Sequence, residues 1–296
     1  MSAFNFTPEH LLKPHNKDLG GGFVVRRLLP AMQRQAVGPF IFFDHFGPVT
    51  VTPADNHDVR PHPHIGLATL TYLFDGVIMH RDNLGYQQRI EPGAINLMIA
   101  GRGIVHSERK PEQEKNSTYT NHGLQLWIAI PEAEEMRAAS FSHTPAEAIP
   151  EVQIGKAHVR VLVGSAFGAS SPVPTLSPTL YLDVRLEANT EWHCPMLAEE
   201  QAIYPIEGAC SVDDMALEAH HMLVLQQTHT IRTQEHGARF VIIGGQNLGR
   251  RLMWWNFIAS NKDSIDRAAE VWNQAPSEGP LSQVPGETER IPLPSR

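Results

Sequence analysis

The 296-residue chain is poor in cysteine, in runs of positive charge and in long apolar stretches. Each shortage removes a class of protein. Cys194 and Cys210 are the only thiols. They are too few and too isolated for a disulfide framework or a thiolate metal cluster, and such usage agrees with a reducing compartment. No run of Lys and Arg is longer than a pair such as Arg26-Arg27 or Arg250-Arg251, and the net charge is −8. Without a basic stripe to track phosphates, direct contact with nucleic acid is disfavoured. No apolar stretch approaches the roughly 18 to 20 residues that span a bilayer, and Met1-Ser2-Ala3-Phe4-Asn5-Phe6-Thr7 lacks the basic start and apolar core of a signal peptide. The expectation is a cytoplasmic protein without membrane contact. Charged residues make up 19% and hydrophobic ones 42%, enough for one large or two ordinary folded domains.

What the chain does have is sixteen histidines, three of which fall into two short patterns. His62-Pro63-His64 and His106-Ser107-Glu108 place three imidazoles and one carboxylate in two pairs spaced i, i+2. On a β-strand such positions share a face, so two neighbouring strands aim four donors at one point. Imidazoles with one carboxylate favour iron, zinc, nickel or copper over calcium or magnesium, which take mostly oxygen. Four protein donors also leave two positions of an octahedral ion open, as catalysis or ligand sensing requires.

The surrounding sequence supplies the strands. Segments near 23–25, 39–43, 68–73, 77–80, 95–99 and 124–130 are short, rich in β-branched or aromatic residues, and bounded by turn formers such as Asp75-Gly76, Glu91-Pro92-Gly93 and Gly101-Arg102-Gly103. The texture repeats near 159–163, 180–186, 191–194, 201–206, 221–225 and 239–244. An all-β, doubled architecture follows, with the proline-containing stretch 143–150 as linker. Ile265, Ala268, Ala269 and Trp272 recur at i, i+3, i+4 and i+7, which predicts an amphipathic helix over 263–272. A short helix is expected at 131–136, opened by Pro131. From Pro276 onward five prolines and few large apolar residues predict an extended or mobile tail.

Other polar residues admit two readings. His80 and Asp82 either orient a ligand imidazole or cap a hairpin turn. Asp44 and His45 either line a pocket mouth or belong to a structural loop, and Gln125 on its strand faces either a cavity or its surroundings. The adjacent pairs His220-His221 and His193-Cys194 point to opposite faces of a strand and make no second site.

These motifs together resemble the pirin family of the cupin superfamily. The resemblance is carried by Arg60-Pro61-His62-Pro63-His64-Ile65-Gly66, the run on to Asp75-Gly76, His80-Arg81-Asp82-Asn83-Leu84-Gly85, Pro92-Gly93 and Gly101-Arg102-Gly103-Ile104-Val105-His106-Ser107-Glu108. Phe43-Asp44-His45-Phe46-Gly47-Pro48, Gly123-Leu124-Gln125-Leu126-Trp127 and Trp255-Asn256-Phe257 extend it over nearly the whole chain. It implies two tandem cupin (jelly-roll-type) β-barrels with a C-terminal amphipathic helix. Residues 1–145 would form the N-terminal metal-binding cupin domain, 146–275 a cupin-like domain without metal, and 276–296 the tail.

The implied ligands are His62, His64, His106 and Glu108. The carboxylate that general cupins carry four or five residues after the second histidine falls here on Ala68 or Thr69, so Glu108 takes that role. The matching strand of the second half, 202–208, has no His-x-His. The resemblance further implies one divalent ion, Fe(II) first, with Zn, Ni, Cu, Mn or Co as alternatives. Its expected activity is quercetin 2,3-dioxygenase chemistry on a flavonol-like aromatic with dioxygen, Glu108 serving as proton acceptor in a monomeric protein. The alternative is a non-catalytic, redox-dependent regulator that binds a protein partner.

Overall fold

The computed structural model describes residues 6–7 and 10–295. Its contacts divide the chain into two units, each assembled from separate segments of the sequence: Lys17–Val25, His45–Ala146 and the described residues from Leu248 in one, and the remainder, chiefly Glu147–Asn247, in the other. The chain therefore does not part at a single cut near 145. Residues after Leu248, including the helix, belong with the first half because their apolar side chains are buried there.

In the unit built on His45–Ala146, strands Ser140–Thr144, Ile95–Ile99, Leu67–Asp75 and Tyr119–Ala129 lie side by side in that order within a seven-stranded sheet. A four-stranded sheet is ordered Val59–His64, Ile104–Arg109, Ile78–Asp82 and Gln87–Ile90. Leu67 through Leu73 are buried without interruption, as expected of a central strand covered on both faces. The other unit repeats the plan. Met222–Leu225, Glu200–Glu207, Ala238–Gly245, Thr179–Leu186, Ala157–Val163 and Glu151–Ile154 are successive neighbours in a second seven-stranded sheet, and Glu191–Cys194, His229–Thr233, Cys210–Val212 and Met215–Leu217 form a second four-stranded one. Its core gathers Val159, Val161, Leu182, Val184, Ile203 and Phe240. The architecture is all-β and doubled, as the sequence predicted, with each unit's ladders remaining separate sheets rather than closing into the barrels that the resemblance implied.

The α-helix runs Lys262–Asn273 and buries Ile265, Ala268, Ala269 and Trp272, the four residues of the predicted stripe. The Asn261 side chain caps it by accepting from the Ser264 N–H at 2.9 Å. Among the described residues no helix is long and apolar enough to cross a membrane.

Three local expectations change. The 131–136 helix contracts to the single 3-10 turn Glu132–Glu134, and three residues later the Arg137 carbonyl accepts from the Arg102 N–H at 2.9 Å rather than from a further helical turn. The stretch 143–150 does carry the change of unit, between Ala146 and Glu147, but it is not free throughout. His143 and Thr144 end a strand paired to Ile95–Ile99. Residues 276–295 carry no helix or strand, only turns, bends and irregular backbone, yet they are pinned: Leu281 and Val284 are buried, the Ile291 N–H donates to Pro61 O at 2.8 Å, and Asn83 Nδ2 donates to Pro280 O at 3.0 Å.

Candidate metal centre

The four-stranded sheet brings the two i, i+2 pairs together. His106 lies directly opposite His62, and Ile104 opposite His64, across the antiparallel ladder. Paired positions share a face, so His62, His64 and His106 project to the same side. Gly66 ends the first ligand strand at φ +68°, where a Cβ would come within 2.0 Å of Ile258 O. Only glycine permits that approach.

All three imidazoles are buried, at 7%, 1% and 2% exposure for His62, His64 and His106. Their candidate donor atoms lie within 4.8 Å of one another, and their ring centroids are 4.4 to 5.0 Å apart. Burial is the main cause that depresses their basicity. It brings His62 down to about 4. His64 falls well below the ordinary imidazole value through burial and then the neighbouring His62. His106 does so through burial followed by His62, His64 and His80. Near neutrality the trio is uncharged, the form that binds metals.

Each ring is also held from behind. His62 Nδ1 lies 2.9 Å from Arg60 O, and His64 Nδ1 lies 3.2 Å from Asn256 O. A carbonyl only accepts, so both Nδ1 atoms carry hydrogen and both Nε2 atoms present lone pairs. His106 Nδ1 is 3.3 Å from His80 Nδ1, while His80 Nε2 is 3.0 Å from Asp82 Oδ2. The consistent assignment has His106 Nδ1–H donating to His80 and His80 Nε2–H donating to Asp82, which leaves a lone pair on His106 Nε2. His64 Nε2 and His106 Nε2 face each other at 3.1 Å. Two nitrogen ligands about 2.1 Å from an ion at a right angle lie about 3.0 Å apart. This buried, outward-anchored donor set fits a divalent cation.

Glu108 occupies the same face two residues beyond His106. On the Val59–His64 side the register shifts between the two, so Glu108 pairs with Val59 rather than Arg60. Bulges of this kind re-aim a side chain. Its carboxyl stands outside the set of mutually close donors formed by the imidazoles. Burial of the carboxyl pushes it up to about 7, although part of the residue stays accessible.

The neighbouring seven-stranded sheet supplies the opposing wall. The Trp127 ring meets His64 edge-on at 5.2 Å, and Phe141 stacks on His80 at 4.3 Å and 15°. The register places Gln125, Thr71, Asn96 and His143 in one row across four strands. Thr71 Oγ1 donates to Gln125 Oε1 at 2.8 Å, and His143 Nδ1 lies 2.8 Å from Asn96 Oδ1. This row sits on the same sheet face as Trp127, two residues along.

Other candidates resolve. Asp82 does both things read for it: Oδ2 meets His80, and Oδ1 accepts from the Leu84 and Tyr86 N–H groups at 2.9 and 3.0 Å. Asp44 and His45 lie on a strand, Phe40–Val51, rather than a loop. Asp44 pairs with Arg27 through two 2.7 Å bonds, and the fully buried His45 meets His122 with Nε2 atoms 2.8 Å apart. His193 Nδ1 is 3.0 Å from Thr230 Oγ1 and His221 Nδ1 is 3.2 Å from Ala219 O. Burial pushes the Cys194 and Cys210 thiols up to about 12, so neither supplies a thiolate. Sequence reasoning did not find Asn256 O or Phe141 as supports of the site. Nothing local to 256 or 141 signals contact with a strand so distant in the chain.

A buried histidine trio on one sheet of a doubled β-fold defines a cupin with a metal-competent site. The Pirin family model matches residues 22–128, and the model of the pirin C-terminal cupin domain matches 181–277. A pirin-like protein of Caulobacter vibrioides is 40% identical over 261 residues, covering 86% of this chain and 90% of that one. A protein of Pseudomonas aeruginosa named putative quercetin 2,3-dioxygenase is 34% identical over 273 residues, covering 90% and 85%. Among solved structures, a quercetin 2,3-dioxygenase from Acinetobacter baumannii superposes with a TM-score of 0.89 at 33% identity, covering 97% of this chain and 95% of that one. The chain belongs to the pirin family.

Proposed function

We propose that this protein is an iron(II)-dependent dioxygenase that opens flavonols such as quercetin, consuming dioxygen and releasing carbon monoxide. The observation that carries the reading is the convergence of three buried imidazoles whose Nδ1 atoms are each engaged from behind. The names borne by the Pseudomonas and Acinetobacter relatives support the choice of substrate. His62, His64, His106 and Glu108 would hold the ion. Bound there, it would supply Lewis-acid activation and a path for electrons between substrate and dioxygen.

The chain's own residues do the rest. The three imidazoles stay neutral and fixed, so no reorganisation is needed when the substrate arrives. Glu108, on the same strand face as His106, accepts the proton of the flavonol 3-hydroxyl at its carboxylate and returns it on product release. Trp127 and Phe141 offer apolar surface beside the site, while Gln125 and Thr71 add polar groups farther along, the mix a flavonol presents in return. Cytoplasmic residence and a monomeric state complete the proposal.

The test is metal analysis of anaerobically purified protein, followed by oxygen uptake and carbon monoxide release with a flavonol, His62→Ala serving as control. Uptake with carbon monoxide in the wild type, abolished in His62→Ala and strongly reduced in Glu108→Gln, is expected. Metal-loaded wild type that consumes no more oxygen than the control would refute the dioxygenase and leave the redox-dependent, partner-binding role.

A further inference from the structure

The three imidazoles are anchored by unlike means, and the difference has a chemical consequence. His62 leans on a carbonyl of its own strand and His64 on a carbonyl from 192 residues away, both neutral acceptors. His106 alone is backed by ionisable side chains. His80 sits between it and Asp82, with contacts of 3.3 and 3.0 Å. The arrangement is diagonal: His106 lies directly opposite Asp82 and Glu108 opposite His80, so His106 reaches across the register to His80, a distance long side chains cover on a sheet face.

Several observations show that this chain of contacts is built rather than incidental. His80 and Asp82 are 3% and 1% exposed. His80 cannot swing away, because Phe141 stacks on its ring at 4.3 Å. The Asp82 carboxylate has no Lys or Arg partner among the described residues, and its one ionisable contact is His80. Its other oxygen is tied to two backbone N–H groups at 2.9 and 3.0 Å. A buried carboxylate without a cation is costly unless a positive centre lies nearby, and the metal-competent trio is one imidazole further on.

We propose that His80 and Asp82 form a positioning relay that commits His106 to the tautomer with its lone pair on Nε2 and fixes the orientation of its ring toward the other two donors. His106 Nδ1–H donates to His80 Nδ1, and His80 Nε2–H donates to Asp82 Oδ2. Each bond polarises the next, and the carboxylate's charge is felt at His106 Nε2 without Asp82 touching the ion. Outer partners of this kind hold ligand orientation and donor strength, and losing one typically costs about 10- to 100-fold in metal affinity. The inference rests on the metal-binding reading of the trio, and it assigns His80 and Asp82 no contact with substrate.

Two variants test it in the full-length protein. Asp82→Asn keeps an oxygen for the Leu84 and Tyr86 N–H groups and alters the atom facing His80. His80→Phe keeps the stack on Phe141 and removes the relay. Affinity for Co(II) and Zn(II), measured by competition with a chromophoric chelator, is expected to fall about 10- to 100-fold in Asp82→Asn and at least as far in His80→Phe. In the Co(II) protein, the paramagnetically shifted proton signal of His106 Nδ1–H, assigned by its absence in His106→Ala, should move in Asp82→Asn and vanish by exchange in His80→Phe. Far-UV circular dichroism of the apo-proteins checks that both variants fold, and the signal of His62 Nδ1–H, which the relay does not touch, serves as internal reference. Wild-type affinity and an unmoved His106 signal in both folded variants would overturn the relay. Failure of the wild type itself to bind either ion would instead remove the metal reading beneath it.

Discussion

The proton balance of metal uptake is the most exposed consequence of the site's electrostatics, because imidazoles and carboxylate make opposite demands. Burial holds His62 at about 4 and drives His64 and His106 well down. Above about pH 5 the trio therefore binds metal without releasing protons, unlike free histidines, which titrate near 6.5. Glu108 stands at about 7 before metal arrives, so below that pH its uptake as an anionic ligand must expel one proton. The affinity should rise with a slope of about one decade per pH unit below about pH 7 and level off above it, a gain of roughly 50-fold between about pH 5 and pH 7. The assay is anaerobic titration calorimetry of Fe(II), or of Zn(II) as a redox-silent substitute, in buffers of different ionisation enthalpy, which counts protons directly. Glu108→Gln should bind more weakly with a flat profile. A wild-type slope of two or more would mean that imidazoles titrate in this range and that the trio is not desolvated as described. A flat wild-type profile would remove Glu108 from the ligand set.

Two further outcomes concern stability. For apo-protein, the native His62 imidazole is harder to protonate than its unfolded counterpart, so its contribution is present above about pH 6.5 and is lost as pH falls toward about 4, on the order of 3 kcal/mol. Glu108 acts the other way: its contribution is present below the ordinary carboxyl value and is lost as pH rises through about 7. Denaturant unfolding of apo Glu108→Gln should thus show the acid-side loss from the imidazole trio alone, and stability unchanged between about pH 7 and pH 4.5 would contradict this. Trp272, 2% exposed, packs its ring under the Arg290 guanidinium and donates Nε1–H to Ile291 O at 3.0 Å. Trp272→Ala should cost about 3–5 kcal/mol in equilibrium unfolding, and a loss below about 1 kcal/mol would show that the helix and C-terminal strap contribute little to the fold.

The sequence made the strands and the helix legible because their signals are local. Short β-branched and aromatic runs between turn residues mark the strands, and Ile265, Ala268, Ala269 and Trp272 mark the helix face that is in fact buried. The trio was legible for the same reason: alternation on a strand fixes that His62 and His64 share a face, and likewise His106 and Glu108. The resemblance then named the family. The tail's lack of helix and strand was legible, but its burial was not, because proline content reports on regular structure and not on burial. Leu281, Val284 and the Ile291 N–H find partners among residues far back in the chain, and no window around residue 280 contains them.

The sequence by itself determined which atoms can ligate and which face of each strand they occupy, since both depend only on residue type and the geometry of an extended backbone. Tertiary structure decided everything that depends on pairing. It set His106 opposite His62, shifted the register before Glu108, and turned Asn256 O toward His64 Nδ1 across 192 residues. It also linked Asp82 to His106 through His80. Hydrogen bonds and desolvation act over a few ångströms of space regardless of separation along the chain. The protonation of the donors was therefore fixed only when the sheets closed around them.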